Sequence, residues 1–136
     1  MKNKIFVDAS AITYLLLQSP ESIAEKLNEL FKQLSLSAKF FTNVLVIDEV
    51  LYVLNKKYAI PYEEIMEEMD LLLEVIDILP LERKECAKLQ EILRTCKLLP
   101  SDALHVANML NNKINKILSE DSDFDKVKGI KRIWIE

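Results

Sequence analysis

Glycine and histidine are almost absent from this sequence of 136 residues, in which Gly129 and His105 are the only examples of each. A phosphate-binding P-loop and the dinucleotide-binding fingerprint both need several closely spaced glycines, so the sequence excludes both. A zinc site is not expected, because histidines and cysteines do not occur in pairs at the spacing of metal ligands. A catalytic triad is not indicated either, since His105 has no second histidine or nucleophile near it.

Cysteine occurs only twice, at Cys86 and Cys96, and both fall within one predicted helix. Ten residues of α-helix rise roughly 15 Å, which is too far for a disulfide within one molecule. We therefore expect reduced, partly buried thiols, which are typical of a cytoplasmic protein. The sequence has no apolar run long enough to cross a membrane, and Asp8 interrupts the apolar stretch near the start, so we expect no membrane segment and no signal peptide.

An excess of positive charge is also lacking. The 22 acidic residues outnumber the 18 basic ones, which gives a net charge of −4 and a pI near 5.2. Such a protein is a poor electrostatic match for nucleic acid as a whole. Any function in nucleic-acid chemistry must therefore depend on a local site that binds cations.

Strands and helices are predicted to alternate along the chain. Half of the residues are hydrophobic, and the length fits one domain over residues 1–136. The apolar patterns predict strands at residues 5–7, 38–42, 75–79, 114–118 and 130–135. They predict helices at residues 11–17, 22–36, 44–57, 62–73, 81–97 and 102–110. This alternation indicates an α/β fold with a mainly parallel sheet of about five strands covered on both faces.

The first predicted strand is the feature around which the chain is organised. Ile5, Phe6 and Val7 are typical of a buried strand, and the run ends abruptly at Asp8. Ser10 is the expected N-cap of the helix that follows. Asp8 should therefore lie at the carboxyl edge of the sheet, where α/β proteins bind their ligands.

Three further carboxylates are candidates for the same edge. Glu49 and its neighbour Asp48 lie in a helix that is apolar almost all round and should be largely buried, with Thr42 or Asn43 as its cap. Asp102 lies in the first turn of its helix, and Asp121 follows the fourth strand. Each could serve its own helix end instead, Asp102 through the helix dipole and Asp121 as an N-cap for residues 122–127.

Carboxylates that converge raise one another's pKa, and a hard divalent cation resolves the repulsion. Mg²⁺ or Mn²⁺ suits such oxygen ligands and can activate water for attack on phosphorus. His105 lies one helical turn after Asp102, where it could contact a phosphate, orient Asp102 or simply pack. Asp123 and Asp125 are expected to be solvated or to support the site from outside.

Four segments taken together resemble a PIN-domain protein of the kind found as the toxin of VapBC-type toxin–antitoxin pairs. They lie in the family's order and spacing, at Phe-Val-Asp8-Ala-Ser, Asp48-Glu49-Val-Leu-Tyr-Val-Leu, Pro-Ser-Asp102-Ala-Leu-His-Val-Ala and Leu-Ser119-Glu-Asp121-Ser-Asp123-Phe-Asp125. Helical periodicity does not choose between Asp48 and Glu49, but the resemblance favours Glu49. Ala9 stands where the family commonly has Thr, which leaves the adjacent carboxylate intact.

The resemblance implies a three-layer α/β/α sandwich and a cytoplasmic endoribonuclease that hydrolyses RNA phosphodiester bonds. Asp8, Glu49, Asp102 and Asp121 would be the catalytic acids, and Asp8, Asp102 and Asp121 would bind Mg²⁺ or Mn²⁺. Ser10 and Ser119 match hydroxyl positions beside the site. RNA, an antitoxin protein and a second copy of the chain are the implied partners. The densest basic stretch could contact phosphates or face solvent, and consists of Lys126, Lys128, Lys131 and Arg132.

Two other functions fit parts of the pattern. A receiver-like phosphoacceptor domain is also α/β with an acidic Mg²⁺ pocket, but it usually pairs two acids after its first strand, whereas Asp8 is unpaired. Its acceptor would be Asp77, which is followed by Ile-Leu-Pro within an apolar run. A non-catalytic PIN fold that acts as a binding module is the other alternative, against which the four intact acids argue.

Overall fold

A parallel sheet forms the centre of the computed structural model, which describes residues 3–136. Within these residues its five strands are β1 (Asn3–Val7), β2 (Ala38–Asn43), β3 (Ile76–Leu79), β4 (Lys116–Leu118) and β5 (Lys131–Ile133). They lie in the order β3-β2-β1-β4-β5, and every adjacent pair is parallel. The predicted α/β class and the parallel sheet of about five strands are confirmed.

β1 is the central strand, and its last three side chains form an unbroken apolar run. Ile5, Phe6 and Val7 are all buried, as in parallel strands that are covered on both faces. Phe6 is in register with Phe41 of β2 on one side and Ile117 of β4 on the other. The strand order reverses at β1, so the carboxyl ends of β1 and β4 flank the crevice where open α/β sheets bind ligands.

Six α-helices pack in two groups within the described chain. The first group, α1 to α4, covers Ala9–Leu17, Glu21–Ser35, Val44–Tyr58 and Tyr62–Leu72. The second group is α5 (Glu85–Thr95) with α6 (Pro100–Asn111). Crossovers between parallel strands are right-handed as a rule, so this strand order puts the two groups on opposite faces of the sheet and gives three layers. No helix within residues 3–136 combines the length and the apolar character that crossing a membrane requires.

The burial of α3 differs from the prediction. Only one face of this helix is inside, with Val46, Val50 and Leu54 buried at helical spacing. Val44 and Tyr52 are 56% and 59% exposed, so the helix is not buried all round. Apolar composition could not show this, because the packing of α3 on the sheet leaves its outer face open.

Smaller differences from the prediction concern the bounds of one helix and the exposure of one cysteine. The helix predicted at residues 81–97 begins only at Glu85 and ends at Thr95. Both cysteines are free, but Cys86 is exposed, so the expectation of a partly buried thiol holds for Cys96 alone. Gly129 adopts a φ of +92° in the turn before β5, a conformation that other residues rarely take, which explains the position of the only glycine.

Candidate active site

A pocket of about 330 Å³ opens at the carboxyl ends of β1 and β4. The four carboxylates predicted to share a site all line it, namely Asp8, Glu49, Asp102 and Asp121. They come from the end of β1, the middle of α3, the first turn of α6 and the loop after β4. The turn before α6 therefore does bring Asp102 to this edge of the sheet.

Asp8 is the most deeply buried of the four carboxylates, with 5% of its surface exposed. It occupies the N-cap position of α1, yet its side chain does not cap the helix. Instead, its Oδ2 accepts a hydrogen bond from Ser119 Oγ at 2.7 Å. Burial raises the pKa of Asp8 above its usual value, and the Ser119 hydrogen bond and nearby His105 offset only part of that rise.

Two serine hydroxyls join α1 to the loop after β4. Ser119 Oγ accepts a hydrogen bond from the Asp121 amide at 3.0 Å, and Ser10 Oγ accepts one from the Glu120 amide at 3.0 Å. Ser10 is thus not the predicted N-cap, because α1 already begins at Ala9 and its hydroxyl is used across the crevice. These contacts hold Asp121 beside Asp8.

Asp121 both caps a short helix and lines the pocket. Its Oδ1 accepts a hydrogen bond from the Asp123 amide at 2.9 Å, which caps a 3₁₀ helix at Ser122–Lys126. The capping interpretation of Asp121 is therefore confirmed, and it coexists with the position of this residue in the pocket.

Asp102 lies in the first turn of α6, where burial and the neighbouring carboxylates affect its pKa. Burial raises the pKa of this half-buried side chain to about 6, and repulsion from Asp8 and Asp121 adds to the rise. The nearby His105 lowers that pKa, but by less than burial and repulsion raise it. Burial and the neighbouring carboxylates therefore outweigh the opposite effect of His105 at this side chain.

Glu49 faces the pocket, whereas its neighbour Asp48 is exposed on α3. Glu49 Oε1 lies 2.6 Å from Nε2 of His105, which is fully buried. The sequence left open whether His105 contacts a phosphate, orients Asp102 or simply packs, and in the structure its Nε2 hydrogen bond is with Glu49. Its packing is also confirmed, since its ring lies 5.5 Å from that of Phe6.

The other candidates lie outside the pocket lining. Asp123 pairs with Lys126 at 3.0 Å, and Asp125 accepts two hydrogen bonds from Arg132, at 3.1 Å and 3.2 Å. Half of the predicted basic stretch is therefore engaged by neighbouring acids. Lys128 and Lys131 remain exposed.

Lys57 and Tyr58 line the pocket and were missed by sequence reasoning. Lys57 follows Glu49 by eight residues, which is close to two turns of helix, so both lie on one face of α3. That spacing was the available signal. Tyr14, which also lines the pocket, donates hydrogen bonds to both carboxylate oxygens of Glu120, at 3.0 Å and 3.1 Å.

The donor set fits a hard divalent cation. Asp8, Asp102 and Asp121 line one pocket and carry carboxylate oxygens, the ligand type that such an ion prefers, and burial raises the pKa of Asp8 and of Asp102. Asp8, Glu49 and His105 also each present one donor atom within 4.8 Å of the others. Bound metal would favour the ionised carboxylates that burial and mutual repulsion disfavour.

We expect Asp102→Asn to stabilise the metal-free protein at pH 7 by about 1 kcal/mol, a value reduced for solvent screening of a half-buried group. The pKa of Asp102 rises from 3.8 to about 6 on folding, so the native state of the wild type loses stability as pH rises between these values. Urea unfolding in chelator at pH 3.5 and pH 7 measures the effect, which should vanish at the lower pH.

Asp48→Asn is the control, because Asp48 is an exposed carboxylate on the helix that carries Glu49. It should change the free energy of unfolding little at either pH. An Asp102→Asn protein that is less stable than the wild type at pH 7 would contradict the inference that the ionised Asp102 side chain destabilises the metal-free fold.

Comparison with known proteins gives a consistent result. A family model described as PIN domain matches residues 5–130. Ribonuclease VapC2 of Methanocaldococcus jannaschii is 35% identical over 146 residues, which cover 98% of this chain and 95% of that protein. Ribonuclease VapC13 of Mycobacterium tuberculosis is 32% identical over 133 residues, which cover 95% of this chain and 98% of that protein.

The fold is also similar to a solved structure. A chain in the crystal structure of VapBC2 from Rickettsia felis bound to a promoter DNA fragment matches with a TM-score of 0.77 at 12% identity. The match covers 98% of this chain and 99% of that chain, and it concerns the fold.

Proposed function

Because this chain belongs to the PIN-domain family, we propose that it is a metal-dependent endoribonuclease and the toxin of a toxin–antitoxin pair. The observation that carries the proposal is the convergence of Asp8, Glu49, Asp102 and Asp121 on one pocket. Relatives that are more than 30% identical over nearly their whole length are ribonucleases by name. Residues 1–136 form a single PIN-like domain in this proposal.

Asp8, Asp102 and Asp121 would hold the metal, and Ser119 would keep Asp8 in place through its 2.7 Å hydrogen bond. When bound, Mg²⁺ or Mn²⁺ supplies a hydroxide nucleophile near neutral pH and stabilises charge on a phosphoryl oxygen. Glu49 would orient the attacking water with the carboxylate oxygen that is not bonded to His105. The all-oxygen carboxylate set suits Mg²⁺, with Mn²⁺ as its replacement.

Contact with RNA would begin at the rim of the pocket. Lys57 lines the pocket and is placed to meet a phosphate beside the carboxylates. Lys131 pairs with Lys116 at the amino end of β4, so Lys131 and the neighbouring Lys128 lie at the opposite edge of the sheet and are not part of this contact. Bound metal and lysine would make the site locally positive, which would allow a protein with net negative charge to bind RNA.

The proposal also includes partners and a location. The crystal structure from Rickettsia felis is of a VapBC complex, and by analogy an antitoxin protein would bind this chain. A homodimer is the assembly proposed for the toxin itself. The free cysteines, one of them exposed, support a cytoplasmic location.

The alternative functions receive less support. Asp77, the phosphoacceptor of a receiver-like domain, pairs with Lys39 at 3.2 Å and does not line the acidic pocket. A binding module without catalysis would not need four carboxylates around one pocket, of which Asp8, Asp121 and Glu49 help to raise the pKa of Asp102. Both alternatives are therefore set aside in favour of hydrolysis.

Purified protein is expected to cleave RNA in Mg²⁺ or Mn²⁺ and to lose that activity in excess chelator, because the acids alone cannot activate water. Gel analysis of end-labelled RNA measures both conditions, and adding back metal should restore cleavage. Cleavage that persists in chelator would indicate a contaminating metal-independent ribonuclease. RNA that is bound but stays intact in both metals would instead support the binding module.

A further inference from the structure

A chain of buried hydrogen bonds leads from the body of the protein to Glu49. Asn43 and His105 are both fully buried, although each is polar. Asn43 Nδ2 lies 3.2 Å from His105 Nδ1, and His105 Nε2 lies 2.6 Å from Glu49 Oε1. Buried polar groups usually have their hydrogen bonds satisfied, so each nitrogen and oxygen in this row of contacts can be assigned as a donor or an acceptor.

Two backbone groups fix the orientation of the amides. Asn43 Oδ1 accepts a hydrogen bond from the Val46 amide at 3.0 Å, which caps α3 and leaves Nδ2 as the donor toward His105. Asn43 Nδ2 also donates to Asn108 Oδ1 at 3.0 Å. Asn108 cannot be reversed, since its Nδ2 donates to the Pro80 carbonyl at 3.1 Å, and a carbonyl only accepts.

The tautomer of His105 follows from this orientation. A proton on Nδ1 would place two N–H groups against each other, so Nδ1 accepts from Asn43 and the proton lies on Nε2. Nε2 then donates to Glu49 Oε1. The ring nitrogen nearest the pocket is therefore a hydrogen-bond donor, which cannot at the same time bind a metal ion.

The separation of 2.6 Å between His105 Nε2 and Glu49 Oε1 agrees with this assignment. Two ligand atoms on one divalent ion, each about 2.0–2.2 Å from it, lie roughly 3 Å apart or more. The shorter separation is that of a charge-assisted hydrogen bond. Asp8, Glu49 and His105 are near enough to resemble a three-ligand site, but the imidazole belongs to the support of Glu49.

We propose that His105 and Asn43 are positioning residues, which act on the reaction by holding the Glu49 carboxylate in the pocket. This inference deepens the proposed ribonuclease function and rests on it. It predicts that loss of the Nε2–H donor costs activity through Glu49 alone, whereas a packing role would cost activity whether or not Glu49 is present.

The tautomer can be measured without activity. His105 is the only histidine, so a long-range ¹H–¹⁵N spectrum of the labelled protein reports this ring alone. We expect the Nε2–H tautomer at pH 7, unchanged on adding Mg²⁺, and a different nitrogen pattern in Asn43→Ser, whose hydroxyl can still cap α3. A deprotonated Nε2 in the wild type, with or without Mg²⁺, would overturn the proposal.

Kinetics test the route through Glu49. His105→Met removes the donor at similar volume, and we expect kcat for RNA cleavage to fall 10–100-fold with little change in KM. His105→Gln keeps an N–H near the position of Nε2 and should recover most of the loss. In a Glu49→Ala background, His105→Met should have almost no further effect.

An equal loss from His105→Met in both backgrounds would show a merely structural role and overturn the inference. Thermal unfolding of each variant identifies any that fail to fold. In that case the ¹H–¹⁵N spectrum of the wild-type protein decides whether His105 donates from Nε2. An inactive wild type would contradict the proposed function, while the tautomer measured in the same protein would still test the hydrogen-bond chain.

Discussion

Asp8→Asn is expected to lower the rate of RNA cleavage in saturating Mg²⁺ by at least about 100-fold. The substitution keeps the size of a side chain that is only 5% exposed, but it removes the charge at the centre of the pocket. Asn can still accept the hydrogen bond from Ser119, so the crevice should keep its shape. The loss would therefore report on metal and phosphate chemistry and not on folding. Asp102→Asn should have a similar effect.

Asp48→Asn is the matched control for these variants. Asp48 precedes Glu49 on α3 but is exposed and does not line the pocket. The Asp48→Asn protein should therefore cleave RNA at the rate of the wild type. Steady-state cleavage of one labelled RNA by all four proteins, each purified in parallel, makes the comparison. Undiminished cleavage by both Asp8→Asn and Asp102→Asn would refute the assignment of the active site.

Mg²⁺ or Mn²⁺ is expected to raise the free energy of unfolding at pH 7 by about 2.7 kcal/mol when the free ion is 100 times its Kd. The ion should bind the native cluster far better than the unfolded chain, in which the carboxylates are separate. It also favours the ionised form of Asp102, whose pKa burial and then repulsion from Asp8 and Asp121 raise to about 6. For a chain of this size the melting temperature should rise by roughly 8 °C.

Protons should compete with the metal for the same carboxylates. Since burial and repulsion raise the pKa of Asp102 to about 6, and burial raises that of Asp8, the stabilisation should shrink as pH falls from 7 to 5. Thermal unfolding with and without metal at both pH values measures it. Asp48→Asn should keep the shift and Asp8→Asn should lose most of it. An equal shift in Asp8→Asn would place the ion elsewhere.

Local patterns in the sequence were sufficient for most of the fold. The apolar run that ends at Asp8 predicted a buried strand and a carboxylate at the sheet edge, because burial on both faces demands such a run. Asn43 was correctly among the expected caps of α3, since capping depends on one side chain and the next turn. The cap of α1 was wrong, because the hydroxyl of Ser10 is satisfied across the crevice by the Glu120 amide.

Contacts between distant segments could not be predicted. The acidic residue at position 49 was selected by resemblance, and only the packing of α3 shows that Asp48 is exposed while Glu49 faces the pocket. The contact of His105 with Glu49 spans 56 residues along the chain. Lys57 could have been found from its spacing to Glu49, but no sequence feature showed that this face of α3 borders the pocket.

By itself, the sequence determined where each acid lies on its own strand, helix or loop, because hydrophobic periodicity and capping are local properties. It also limited the cofactors to be considered, since one glycine argues against a phosphate-binding loop and one histidine argues against a zinc site. Only the tertiary structure decided that Asp102 and Asp121 reach Asp8. That proximity depends on the strand order β3-β2-β1-β4-β5, which brings the loop after β4 and the start of α6 beside β1. The order arises from the packing of the whole chain, which no single segment encodes.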